Sequence, residues 1–245
     1  MPHYEKAPIT EALIDIRVEL SSDLRFEDLH AIGKHVNKDY PQEETRTLGE
    51  GVIQFGSALQ ASAQQKPWGL LFRNESKNQV LQVRLDGFTF SRLEPYETFE
   101  KLRDEARRLW DIYRDVMRPK KVTRVAVRYI NQLNIPGDTV EPEVYLNTYP
   151  YVSRDLAPEL RNFGPYLMRL PMHQDDLKGI LVINQATTPP KLPGTISIVL
   201  DFDLYVENPP VTTEQGLWSF FDQLRERKNT YFEACITNRT RELIR

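Results

Sequence analysis

The sequence predicts an α+β fold: an antiparallel sheet or open barrel built from two β-α-β-β-β-α halves, with long helices packed outside. Three observations predict it. Several segments alternate apolar and polar residues with a period of two, and each half ends in a long amphipathic helix. The connections between strands are mostly short, which favours antiparallel neighbours over crossover connections. The halves span residues 1–120 and 121–245, and we expect them to form one integrated domain.

The first half begins with a strand at Ala12–Leu20, in which Ile14, Ile16 and Val18 alternate with polar residues. The other elements predicted in this half are a helix at Phe26–Tyr40, strands around Gly51–Leu59, Trp68–Asn74 and Gln79–Leu93, and a helix at Thr98–Met117. Within Gln79–Leu93, the pair Asp86-Gly87 is typical either of a tight hairpin turn or of a bulge.

The second half begins with a strand at Val122–Ile135, followed by an irregular segment at Pro136–Pro165 that is rich in Pro, Tyr and Asn. Three strands are predicted at Tyr166–Met172, Gly179–Ala186 and Thr195–Val206. The last helix begins near Thr213, with Thr212 or Thr213 as its cap. Its apolar stripe comprises Leu217, Phe220, Phe221, Leu224, Tyr231, Phe232 and Cys235.

Composition narrows the classes of function. The 245 residues include 32 basic and 35 acidic side chains, a near-balance that argues mildly against a dedicated nucleic-acid binder. A single cysteine, Cys235, excludes an internal disulfide and a multi-cysteine metal site. The chain shows neither a signal peptide nor the run of ~20 apolar residues that a membrane helix needs, so we expect no membrane association and a cytoplasmic location.

Enzyme motifs are missing from the sequence. The four histidines lack metal-ligand spacing, and neither a G-x-S-x-G nor an H-E-x-x-H motif is present. We therefore assign no catalytic residue.

Arginines at strand spacing form the first candidate site. They are Arg84, Arg92, Arg124 and Arg128, with Glu11 and Glu94 as expected charge partners. Arginine binds carboxylates and phosphates in bidentate fashion. Three interpretations follow: an internal salt-bridge network, a pocket for a small anionic ligand such as a nucleotide, or scattered solvated side chains.

Asp201 and Asp203 form a second candidate site. They lie two apart on a strand and share the face opposite Leu200, Phe202 and Leu204. Two such carboxylates can hold Mg²⁺ together with a phosphate, although the same pattern is ordinary for a half-exposed strand.

A basic patch at Arg118–Arg128 is the only feature that favours nucleic acid, and we regard that partner as unlikely. Arg118 and Lys120 follow the predicted helix, where cations complement the helix dipole without any ligand. Tyr129 alone is too little for a stacking platform.

Tyrosines of the irregular segment, Tyr145, Tyr149 and Tyr151, suit a surface for another protein. An alternative is that the segment merely covers an open sheet face. An exposed edge strand would also allow a homodimer.

Several motifs resemble those of a sporadically distributed family of bacterial proteins of about this length. They are Tyr4-x-x-Ala7-Pro8-Ile9-x-Glu11-Ala12, Phe88-Thr89-Phe90-Ser91-Arg92-Leu93-x-Pro95-Tyr96, Trp110-x-x-Tyr113, Arg124-x-x-x-Arg128-Tyr129-x-Asn131 and Leu200-Asp201-x-Asp203. The resemblance implies no activity. The sporadic distribution implies an accessory role such as phage defence or a toxin–antitoxin-like system.

The leading hypothesis is a non-enzymatic, cytoplasmic binding or regulatory module that contacts another protein. The first alternative is binding or processing of a phosphorylated small molecule by the arginines with a divalent metal. The second alternative is nucleic-acid binding.

Overall fold

Nine strands dominate the computed structural model, which describes residues 4–54, 60–153, 155–157, 164–211 and 213–245. They are β1 (Ile9–Glu19), β2 (Gln42–Gln54), β3 (Gln60–Arg73), β4 (Gln79–Arg84), β5 (Gly87–Leu93), β6 (Lys121–Pro136), β7 (Leu167–Gln174), β8 (Gly179–Thr188) and β9 (Thr195–Glu207). Part of the predicted strand Gly51–Leu59 and the alternative cap Thr212 lie outside the described residues.

All nine strands belong to one sheet in the order β2-β3-β4-β5-β1-β6-β9-β8-β7, and every neighbouring pair is antiparallel. The prediction of an α+β fold with an antiparallel sheet is confirmed. β1 and β6 pair at the centre, and β2 and β7 form the open edges.

A hairpin resolves the predicted strand Gln79–Leu93 into β4 and β5, which turn at Leu85-Asp86. Gly87 begins β5 where a side chain would have no room, because a Cβ there would lie 2.5 Å from the Ile16 carbonyl oxygen. The first half therefore contains five strands, one more than the predicted order.

Helices α1 (His30–Val36), α2 (Phe99–Met117), α3 (Pro142–Tyr145), α4 (Glu214–Cys235) and α5 (Asn238–Leu243) complete the described structure, with a 3₁₀ turn at Phe26–Leu29. The hydroxyl of Thr98 caps α2 and that of Thr213 caps α4, each by accepting a hydrogen bond from the backbone. No helix in the described part of the chain is long and apolar enough to cross a membrane.

One hydrophobic core lies between the helices and one face of the sheet. α1, α2 and α4 pack there against alternating strand residues such as Ile14, Phe90 and Phe202. Trp110, Tyr113 and Cys235 are buried in this core, as the helical stripes predict. The opposite face of the sheet carries the polar members of the alternation.

Candidate functional site

The sheet face opposite the helices carries most of the predicted charged residues, and we call it the charged face. It comprises Asp15 and Arg17 on β1, Arg84 on β4, Arg124 and Arg128 on β6, and Asp201 and Asp203 on β9. Residues of this set that belong to one strand are two or four positions apart, so they point to the same face of the sheet. Asp86, in the β4–β5 turn, joins the same network.

Asp15 is the centre of one network on this face. Its carboxylate accepts hydrogen bonds from Arg84 Nη2 at 2.9 Å and from Arg124 Nη1 at 3.0 Å. The Thr89 hydroxyl donates a third at 2.6 Å. Arg84 is only 2% exposed and stacks on Trp68, with its guanidinium carbon 5.2 Å from the ring centroid. Burying this guanidinium is tolerable because its partners neutralise and saturate it.

Arg128 and Asp201 form a second, bidentate pair. Arg128 Nε and Nη2 each donate to one oxygen of Asp201 at 2.8 Å, and Asn184 Nδ2 donates to the same carboxylate at 2.9 Å. This hydrogen bonding raises the pKa of Arg128 above its usual value. Asp203 lies 3.8 Å from Arg124, and burial raises the pKa of its carboxyl group.

The charges of this face balance one another. Within these ion pairs, four arginines (Arg17, Arg84, Arg124 and Arg128) contact four aspartates (Asp15, Asp86, Asp201 and Asp203), so the formal charges of the paired side chains cancel. The geometry therefore matches the predicted internal salt-bridge network more closely than an open pocket for an anion. Three members of the predicted basic patch also form ion pairs: Arg124 and Arg128 with the aspartates above, and Lys121 with Glu19 at 3.1 Å.

The structure separates Arg92 from the other three predicted arginines. Arg92 lies two residues after Phe90 and four after Phe88 on β5, so it shares their helix-covered face, and it pairs there with Glu97. Neither expected carboxylate pairs with Arg128: Glu94 contacts Lys191 Nζ at 2.6 Å, and no ion pair of Glu11 occurs among the described residues.

The predicted metal ligands Asp201 and Asp203 already serve as partners of arginines. Among the described residues, no cluster of three or more His, Cys, Asp or Glu side chains is arranged to hold a metal ion. A divalent ion at Asp201 would have to compete with the bidentate contact from Arg128.

The three predicted partner-surface tyrosines differ in exposure. Tyr151 is 66% exposed, whereas Tyr145 and Tyr149 are half-buried and pack against the core. α3 is held to the C-terminal region by a β-bridge between Leu146 and Ile236. Residues 144–147 of the irregular segment thus contact the α4–α5 junction, whereas Tyr151 faces solvent.

A cavity of about 900 Å³ lies on the helix-covered side, and its volume falls within the range of small-molecule sites. Its walls are the N-terminal segment Tyr4–Ile9, the segment Glu94–Glu100 before and into α2, Tyr129 and Asn131 on β6, and five residues of α4. Three of the segments that carry the sequence resemblance thus meet here: those with Ala7-Pro8-Ile9, Pro95-Tyr96 and Tyr129-x-Asn131.

Lys228 of α4 is the distinctive residue of this cavity. It is 4% exposed, and its Nζ lies 3.7 Å from the centroid of the Tyr129 ring. Among the described residues, no carboxylate forms an ion pair with it. Burial, and to a lesser extent the nearby charge of Arg225, lower the pKa of Lys228 to about 7.

Two tyrosine hydroxyls meet beside this lysine. The Tyr96 and Tyr129 hydroxyl oxygens are 3.1 Å apart, and their rings pack edge to face at 5.8 Å. Burial raises the pKa of Tyr96 to about 12 and that of Tyr129 well above its usual value. Both hydroxyls therefore stay protonated at neutral pH and can donate hydrogen bonds.

Acidic residues at the cavity are mostly engaged elsewhere. Glu97 pairs with Arg92 and Lys101, and Glu94 pairs with Lys191. Glu233 accepts hydrogen bonds from Arg241 Nε at 3.1 Å and from the Tyr4 hydroxyl at 2.9 Å. Glu5 and Glu100 also line the cavity, and among the described residues none of these five carboxylates forms an ion pair with the Lys228 amine.

Sequence reasoning missed Lys228, although the helical pattern contained a signal. The residue lies four positions after Leu224 and four before Phe232, both in the predicted apolar stripe of α4. A lysine at such a position is directed toward the core side of its helix. Only the fold shows that its amine lies at a cavity and does not pair with a carboxylate among the described residues.

No protein-family model matches this chain, and no curated protein matches it significantly. The cavity and the charged face therefore rest on geometry and chemistry alone.

Proposed function

We propose that this protein is a non-enzymatic binding module whose ligand is a small organic anion held in the Lys228 cavity. The observation that carries the proposal is a buried amine that faces a cavity of ligand size without a carboxylate partner among the described residues. An ammonium group without a counter-ion is costly to bury. An anionic ligand supplies that counter-charge.

The N-terminus of α2 supports the same ligand charge. Thr98, Phe99 and Glu100 line the cavity at the start of this 19-residue helix. The exposed backbone N–H groups and the dipole of a helix N-terminus favour an anion. Lys228 and the start of α2 thus both line the cavity and both favour an anion there.

The proposal predicts that an anion and a proton bind together. The pKa of free Lys228 is about 7, and a bound carboxylate or phosphate raises it by favouring the charged form. Affinity should therefore fall as the pH rises above about 7, because the neutral amine no longer attracts the anion.

Native mass spectrometry of protein purified from cells tests this function, using wild-type, Lys228→Met and Lys34→Met variants. Lys34 is an exposed lysine of α1 and serves as the matched control. We expect a non-covalent small-molecule adduct on the wild type and Lys34→Met that is lost from Lys228→Met. An adduct retained equally by Lys228→Met contradicts the proposal.

A thermal-shift panel of acetate, succinate, citrate and inorganic phosphate covers the case in which the ligand dissociates during purification. A ligand at 100 times its Kd adds about 2.7 kcal/mol of stability, and about 2–4 °C per kcal/mol is typical for this chain length. We expect at least one anion to raise the Tm of the wild type and not that of Lys228→Met. A flat panel together with no co-purified adduct overturns the anion-binding function.

A second candidate function is contact with another protein through the surface around Tyr151. It is supported by Tyr151 and by Leu156, which is 43% exposed only five residues away. Such exposed aromatic and aliphatic side chains are typical of partner surfaces. The regulatory role in an accessory defence system belongs to this candidate, in which ligand binding would alter partner contact.

The evolutionary and cellular setting is part of the proposal. We propose that the halves 1–120 and 121–245 descend from one β-α-β-β-β-α unit, supported by the central pairing of β1 with β6 and by the long helix that ends each half.

The buried free thiol of Cys235 fits the cytoplasmic location that we propose.

A further inference from the structure

The geometry points to reversible covalent capture: we propose that Lys228 forms an imine with the carbonyl group of a 2-oxo acid bound in the cavity. This inference rests on the proposed function, because it takes the anion-binding cavity and assigns the chemical class of the ligand. A 2-oxo acid is the simplest compound that carries both an anionic group and a carbonyl carbon.

An amine nucleophile needs a free lone pair, and the surroundings of Lys228 leave it one. Among the described residues, no hydrogen bond or ion pair occupies Nζ, which instead lies over the ring faces of Tyr129 and Phe232 at 3.7 and 6.0 Å from their centroids. Desolvation in such an apolar setting is how proteins activate lysines for Schiff-base chemistry.

Burial lowers the pKa of Lys228 more than any of the charged groups around the amine, which act in both directions. On its own helix they are Arg225, Glu226 and Glu233. From the other walls they are Glu5, Lys6, Glu94, Glu97 and Glu100, together with the titratable hydroxyls of Tyr4, Tyr96 and Tyr129. Burial is the largest influence and lowers the pKa of Lys228 to about 7, whereas Glu226 and Glu233 oppose it only in part. At neutral pH the neutral-amine fraction is then roughly a thousand times that of an exposed lysine.

The reaction balances without an oxidant or reductant. The Nζ lone pair adds to the carbonyl carbon, a C–N bond forms, and the former carbonyl oxygen takes a proton to give a carbinolamine. Loss of that hydroxyl as water, with a second proton, leaves the C=N bond. The two hydrogens of the released water equal the two lost from the amine.

The cavity suits both stages of this condensation. The hydroxyls of Tyr96 and Tyr129 are 3.1 Å apart, and both residues line the cavity with Lys228, so they can donate a hydrogen bond to the departing oxygen. The imine, when protonated, carries a positive charge, and the carboxylate of the same 2-oxo acid neutralises it. The adduct therefore avoids the cost of an isolated buried charge.

Borohydride trapping tests the proposal. Wild-type protein is incubated with pyruvate at pH 7.5, reduced with sodium borohydride, digested and mapped by mass spectrometry. We expect the carboxyethyl adduct at Lys228 to exceed that at the exposed lysines Lys34 and Lys101 by more than about tenfold, despite its burial. Lys228→Arg, which keeps the positive charge, should lose this adduct while remaining folded by circular dichroism. Adducts spread over exposed lysines, with Lys228 unmodified, overturn the proposal.

Lactate separates the two proposals because it has the carboxylate of pyruvate without the carbonyl. If lactate raises the Tm of the wild type but pyruvate leaves no trapped adduct at Lys228, the imine is contradicted and the anion-binding function stands. If pyruvate is trapped at Lys228 without any shift from lactate, the imine is supported and the purely ionic anchor is contradicted. If neither effect appears, the imine is contradicted, and the anion-binding function is decided by the anion panel and the co-purified adduct described above.

Discussion

The charged face and the Lys228 cavity lie on opposite sides of the same sheet, and they treat buried charge in opposite ways. On the charged face, Arg84 is 2% exposed and its guanidinium contacts Asp15, Asp86 and Thr89. In the cavity, Lys228 is 4% exposed and contacts aromatic rings. Arg84 and Lys228 are thus about equally buried but differ in whether their charge has a partner. A fully paired charge stabilises the fold, whereas a charge left without a partner is available to a ligand.

The difference has a measurable consequence, because deletion of a charge has opposite effects in the two regions. Removing a carboxylate from the charged face strands a buried cation and destabilises the protein. Removing the amine from the cavity eliminates a desolvated group that had no partner to lose. The four predictions below test this contrast in order of decreasing effect.

Asp15→Ala should have the largest effect, a loss of about 3–5 kcal/mol in the free energy of unfolding. The substitution removes the shared acceptor of Arg84 and Arg124 and leaves both guanidinium groups short of a partner. Urea denaturation measures it. The control is Asp104→Ala, since the Asp104 side chain is 68% exposed and its pair with Arg103 is worth about 0–1 kcal/mol. Equal costs for the two variants would show that the charged face is not a structural network.

Lys228→Met should change the pH dependence of stability. The pKa of this lysine is about 7 when folded, against 10.5 for an ordinary lysine, so the unfolded state binds more protons between these values. The free energy of unfolding of the wild type should therefore rise from pH 7 to pH 9, by up to about 1.4 kcal/mol per pH unit.

The methionine variant should lack that rise and should be at least as stable as the wild type at pH 7. Chemical denaturation at a series of pH values measures both quantities. A variant that is several kcal/mol less stable at pH 7, with an unchanged pH slope, would mean that Lys228 is paired in the fold and would remove the contrast between the two regions.

Arg128→Ala should cost about 2 kcal/mol, less than Asp15→Ala. The Arg128 side chain is 41% exposed, but its partner Asp201 is 6% exposed and would keep only the hydrogen bond from Asn184. A double-mutant cycle with Asp201→Asn should give a coupling energy of about 1–3 kcal/mol. Additive effects of the two substitutions would argue against the pair.

Tyr151→Ala should have the smallest effect on stability, within about 0.5 kcal/mol, because the side chain is 66% exposed. Tyr149→Ala should cost more, since Tyr149 packs against the core. If the Tyr151 surface contacts a partner, Tyr151→Ala should reduce the amount of the partner that co-purifies without lowering the Tm. Undiminished co-purification would exclude this tyrosine from the contact.

Local pattern in the sequence predicts the elements well where one face is apolar. The alternation of β1, β6 and β9 and the stripe of α2 place these elements within a few residues of their observed bounds. The β2–β3 hairpin is less predictable, because Gln42–Gly51 is mostly polar and shows no periodic apolar face. The Asp86-Gly87 ambiguity is settled by the antiparallel pairing of β4 with β5 on either side of Leu85-Asp86.

The site is less predictable because partners of charges are distant in sequence. Arg84 and Asp15 are 69 residues apart, and Arg128 and Asp201 are 73 apart. Arg92 shows what strand spacing leaves open. Its distance from Phe90 places it on the same face as that residue, but the spacing does not show that Arg84, on a neighbouring strand, lies on the opposite face. Lys228 is visible in sequence only as a cation on an apolar stripe, and its lack of a partner is a property of the fold.

The most direct measurement of the central claim is the pKa of the Lys228 amine in the intact protein, obtained by NMR titration of labelled lysine side chains between about pH 5 and pH 11. The signal of Lys228 is identified as the one that is missing from the spectrum of Lys228→Arg. The exposed Lys34 and Lys101 provide internal references. A midpoint near 7 for Lys228 is the predicted result. A midpoint at or above 10.5 would show that the amine is solvated or paired, and would contradict the assignment of this cavity as a binding site.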